Sequence, residues 1–154
     1  MRWCEEKEEG EVVIGGNQLS CPYDLLMSSL ENDTPSKDAA QNLLKYLDIL
    51  YPNGVSINTV THADRNRYPT YKEEVTMFFG MVSTYATDYE YNLLKTFKIT
   101  YDTNKIATAN WTEIKQMLSS VSRAERLSDY NHARAIEDGR IQRILLRLKQ
   151  LVEQ

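Results

Sequence analysis

Cysteine is scarce. The 154 residues hold two, Cys4 and Cys21, and two histidines, His62 and His132. Zinc sites place their ligands in closely spaced pairs, and no such spacing occurs, so no metal or cofactor is implied. A Cys4–Cys21 disulfide is allowed by spacing alone. The opening residues carry too many acids and too little apolar length for a signal or transit peptide. The expected location is therefore cytoplasmic, with both cysteines as free thiols. Long apolar runs are absent too. No window approaches eighteen apolar residues, which argues against a spanning helix. Glycine is limited to six residues. Its one pair, Gly15-Gly16, lacks the lysine and the serine or threonine of a phosphate loop. Nucleophile elbows are missing as well, so no catalytic residue is assigned.

What remains is an ordinary globular composition, 42% hydrophobic and 26% charged. A chain of this length buries roughly 70% of its unfolded surface as one domain. Charge is uneven. Residues 1–34 carry eight acids and two bases, a balance of −6, and the rest carries 14 acids and 16 bases, a balance of +2. The reading is a flexible acidic arm over residues 1–10 and a single helical domain over 11–154. An acidic arm on a near-neutral body makes nucleic acid the least favoured partner.

Along the chain, Glu11–Ile14 has room for one short strand, and a short helix is expected from Ser20. Thr34 and Pro35 suit a helix start, followed by Ala39, Ala40, Leu43, Leu44, Leu47 and Leu50 at helical spacing. Pro52-Asn53-Gly54 stops it. The polar stretch 53–69 is long for a connection, so it is either functional or hides a short element. Thr70 and Glu73 fit a capping box ahead of Val75, Phe78, Phe79, Val82 and Tyr85. Asp88 is expected to open a helix with Leu93, Leu94 and Phe97 inside. Lys98–Lys105 is ambiguous between strand and loop. Asn110 and Glu113 form a second cap before Ile114, Leu118 and Val121. The last helix is expected from Glu137 or Asp138, burying Ile141, Ile144, Leu145, Leu148 and Val152. The sum is an all-α compact bundle of about five or six helices.

Three constellations stand out. Six of the nine arginines lie between 123 and 147. The stripe Ile114, Leu118, Val121 reaches Glu125 four residues on, so this carboxylate faces the core or its edge and needs a partner, such as Arg134 or Arg143. It is either a structural ion pair or part of a polar site. Arg140, Arg143 and Arg147 make one basic stripe on an amphipathic helix, read as a solvated face or as a surface for an anionic partner. No aromatic interleaves with these arginines, as base stacking would require. Tyr68, Tyr71, Tyr85, Tyr89, Tyr91 and Tyr101 suit a core edge or a recognition face.

The runs Tyr68-Pro69-Thr70-Tyr71, Arg123-Ala124-Glu125-Arg126, Ile136-Glu137-Asp138-Gly139 and Ile144-Leu145-Leu146-Arg147-Leu148 carry a resemblance. Over residues 67–152 the chain resembles an uncharacterised family of small bacterial and phage proteins, a domain of unknown function. Leu127 stands where that pattern has an aromatic, and Tyr130 where it has a small residue. The resemblance implies a helical domain of prokaryotic or phage origin and no activity.

Two functional expectations follow. The first is a non-enzymatic accessory protein binding a protein partner or itself, with Tyr68, Tyr71, Arg140 and Arg147 as its surface. The second is a small anionic ligand or nucleotide held by Arg123, Glu125, Arg126 and Asp129, with Gly139 and Arg143 at the following helix start.

Overall fold

Ser36, with its extended backbone, starts the first helix: its hydroxyl accepts from Ala39 N at 3.1 Å. The expected cap at Thr34 is therefore two residues early, because the serine is the hydroxyl that reaches a first-turn N–H. The computed structural model describes residues 33–62, 68–88 and 92–154. The acidic arm, the strand expected at Glu11–Ile14 and the helix expected from Ser20 lie outside the described residues. Asp33–Gln154 forms one compact unit.

The elements run α1 (Lys37–Leu50), a 3-10 turn (Pro52–Gly54), β1 (Val60–His62), β2 (Thr70–Tyr71), α2 (Glu73–Tyr85), α3 (Leu93–Ile99), α4 (Thr103–Thr108), α5 (Trp111–Ala124), α6 (Asn131–Glu137) and α7 (Arg140–Glu153). Seven helices among the described residues make the fold all-α, one or two more than expected. No helix among them is long and apolar enough to cross a membrane.

The stretch 53–69 does hide an element. β1 pairs antiparallel with β2, Val60 opposite Tyr71 and His62 opposite Thr70. This pairing overturns the expected capping box at Thr70. The threonine is held in a strand, Lys72 N donates to Thr59 O at 2.9 Å, and α2 begins at Glu73 with no side-chain cap. Pairing between strands distant in sequence is invisible to a local capping pattern.

Asn92 caps α3, not Asp88. The ambiguous stretch Lys98–Lys105 is neither strand nor loop alone. It holds the end of α3, a turn, and the start of α4, where Asp102 accepts from Asn104 N and Lys105 N. The capping box at α5 forms as expected, with Asn110 and Glu113 exchanging bonds of 2.8 Å. The last helix, expected from Glu137 or Asp138, starts at Arg140, and the preceding helix α6 was not expected. Gly139 sits at φ 80° between α6 and α7, in the left-handed region where a Cβ is strained.

Leu43, Phe78, Ile114, Leu118, Ile144 and Leu148 are fully buried and place α1, α2, α5 and α7 around one core. Val152, expected inside, is 48% exposed at the last turn of α7. The short helices α3 and α4 pack against α5 and α7 respectively, and Ile106 of α4 joins the core.

Candidate functional site

Glu125 follows the last residue of α5, at the core edge where its spacing put it. Its partners are not the expected arginines. Oε1 accepts from Tyr71 Oη at 2.5 Å and from Tyr130 N at 3.1 Å, and Oε2 accepts from His132 N at 2.8 Å. The reason lies in α6. Tyr130 stands at its N-terminal boundary with φ 69° and no side-chain cap. Two N–H groups at that end need an acceptor, and a carboxylate there also complements the helix dipole. Tyr71, read as a surface residue, is half-buried and tied to this carboxylate.

His132 completes the cluster. Its ring stacks on Phe79 at 3.6 Å, and Nε2 lies 3.0 Å from Ser122 O. A carbonyl oxygen only accepts, so Nε2 carries the hydrogen. Burial lowers the His132 pKa below its ordinary 6.5. Burial, then the hydrogen bond to Glu125, raises that of Tyr71. The unfolded chain therefore takes up a proton at His132 before the folded chain does. Stability is expected to fall as pH drops through and below 6.5. Urea midpoints measured from pH 7.5 to 5.5 (about one unit either side of that pKa) should fall less in His132→Phe than in the wild type. Parallel pH profiles would show that His132 does not carry the effect.

Arg123 and Arg126 lie apart from this carboxylate. They line a narrow crevice of about 160 Å³ with Ser83, Thr87, Ser119 and Ser122, at the C-terminal ends of α2 and α5. Ser83 and Ser119 donate to backbone carbonyls. Basic side chains at helix C-termini offset the negative end of the dipole, which repels an incoming anion. Asp129 is exposed. Of the Arg-Glu-Arg-Asp run, the two arginines line this crevice, while Glu125 bonds Tyr71 and the charge of Asp129 acts on the same tyrosine.

Gly139 and Arg143 do meet. A Cβ on Gly139 would sit 3.2 Å from Arg143 Nη1, which donates to Asp138 O at 3.4 Å. The expected basic stripe is taken apart beside them. Arg140 is not solvated but fully buried. Its Nε donates to Asp138 Oδ2 at 2.8 Å and Oδ1 at 3.1 Å, and Nη1 to Thr100 Oγ1 at 3.3 Å. Its guanidinium lies 4.1 Å from the Tyr101 ring and 5.5 Å from that of Phe97. Arg147 Nε donates to Ala109 O at 2.8 Å, which ties α7 to the end of α4. Tyr68 is 83% exposed.

A different feature emerges beside Arg140. Phe97 and Tyr101, which hold its guanidinium, also line a groove of about 290 Å³ between α3 and the α5–α6 turn. Leu94, Leu127 and Tyr101 rim it at 70%, 68% and 53% exposure. Leu94 was expected in the core. Neither Leu94 nor Leu127 carried a signal in the sequence, because their exposure depends on how α3 and the α5–α6 turn pack. Among the described residues, no group of three metal-ligating side chains forms.

The family model of DUF6508, a family of unknown function, matches residues 35–154. The chain belongs to the DUF6508 family. The match takes in every helix described above, including both walls of the groove. No curated protein and no solved structure matches the chain.

Proposed function

We propose that this DUF6508 chain is a cytoplasmic, non-enzymatic accessory protein of bacterial or phage origin that works by protein–protein contact. The groove between α3 and the α5–α6 turn receives an amphipathic helix of the partner. The observation that carries this reading is the convergence of Leu94, Leu127 and Tyr101 on one groove. Clustered exposed apolar side chains disfavour solution unless a partner covers them. Covering one leucine returns roughly 1.5–3 kcal/mol.

Charge selects the partner. Arg134 is the charged residue in the groove lining, is exposed, and has no ion pair among the described residues. The occupant is therefore an acidic helix, with apolar side chains three or four residues apart and a carboxylate placed for Arg134.

A displayed random-peptide library tests this, panned on the wild type and counter-selected on Leu127→Glu. Enriched sequences should combine that apolar spacing with aspartate or glutamate, and should lose affinity for Arg134→Ala. Basic or patternless winners, or winners that bind Leu127→Glu equally well, would overturn the reading. Light scattering on the protein alone separates a second copy as occupant. A concentration-dependent dimer abolished by Leu127→Glu would assign the groove to self-association and remove the acidic partner.

A further inference from the structure

We propose that the cleft between α3, α4 and α5 binds a small organic anion, a carboxylate or a phosphate monoester. This site is separate from the groove and does not rest on the protein-contact reading. The cleft encloses about 510 Å³, within the range of small-molecule sites. Its walls come from three helices that the chain brings together through two tight turns, so the lining residues stand on rigid elements.

The chemistry is set by Lys95 on α3 and Lys105 on α4. Both line the cleft, and neither forms an ion pair among the described residues. Glu113 also lines it, with Oε2 accepting from Asn110 N at 2.8 Å in the α5 capping box. Two cations and one anion leave a local charge of +1. Ile99 and buried Met117 supply an apolar floor, and Gln116 an amide free of side-chain bonds to other described residues. An anionic group near the lysines and an apolar body over Met117 would use both cations and the apolar floor.

Paired probes test the proposal: benzoate and phenyl phosphate share a ring and differ in the anion, and benzyl alcohol is the neutral control. Amide resonances are followed by NMR during millimolar titrations of the full chain. At least one anion should shift Thr96, Lys105 and Gln116, less so as salt rises. Which anion binds more tightly decides between carboxylate and phosphate. Lys95→Gln with Lys105→Gln should weaken binding tenfold or more without moving the melting temperature, because both side chains are exposed. Leu127→Glu should bind as the wild type does. No shift with either anion, equal shifts with benzyl alcohol, or unchanged affinity in the lysine double variant would each overturn the site.

Discussion

Arg140→Ala is expected to remove about 3 kcal/mol of stability, the low end for breaking a buried charge pair because Asp138 keeps contact with water. The side chain of Asp138 is 36% exposed against 0% for Arg140. Three losses combine. Asp138 loses the guanidinium that its two oxygens hold, Thr100 loses its donor, and Phe97 and Tyr101 lose the surface on which they pack. For a domain of this size the melting temperature should drop by roughly 10 °C.

Arg140→Met separates charge from packing. It fills much of the same volume, and Arg140 Nη2 has no partner among the described residues to lose. Methionine restores packing on Phe97 and Tyr101 but leaves the part-exposed Asp138 carboxylate without its cation, so it should recover part and not all of the alanine loss in urea unfolding. Equal losses in both variants would mean that the charge contacts dominate. A loss below about 1 kcal/mol in alanine would mean that water fills the site.

Glu125→Ala should cost about 2 kcal/mol, the sum of a lost helix cap and a half-buried tyrosine hydroxyl left without its acceptor. The damage should be local. Amide exchange at Tyr130 and His132, whose N–H groups the carboxylate accepts, should quicken more than that of α1 or α7. Glu125→Gln retains one acceptor oxygen and should cost about half as much. Uniform quickening across all helices would mean that Glu125 supports the whole core and not the start of α6.

How much of this was legible in sequence varies by element. α1, α2, α5 and α7 announce themselves through apolar spacing, and most of their interior residues fall where that spacing puts them, Val152 excepted. The α5 cap was readable because both its partners lie three residues apart. The strand pair was not, since Thr59 and Lys72, which bond each other, are thirteen residues apart in the chain. α4 and α6 were missed because six- and seven-residue helices are too short to show a period.

The candidate sites show the same division. Gly139 was a turn in the sequence and is one in the structure. The arginines were countable, but their roles were not. Arg140, Arg143 and Arg147 share a helical stripe, yet one is buried under Tyr101, one bonds the preceding turn and one reaches α4. The sequence by itself determined the helical class and the core stripes, because periodicity is a local property of the chain. Only the tertiary structure decided which charges are buried and where Leu94 and Leu127 converge. Those outcomes depend on which helix packs over which, and no local pattern encodes that.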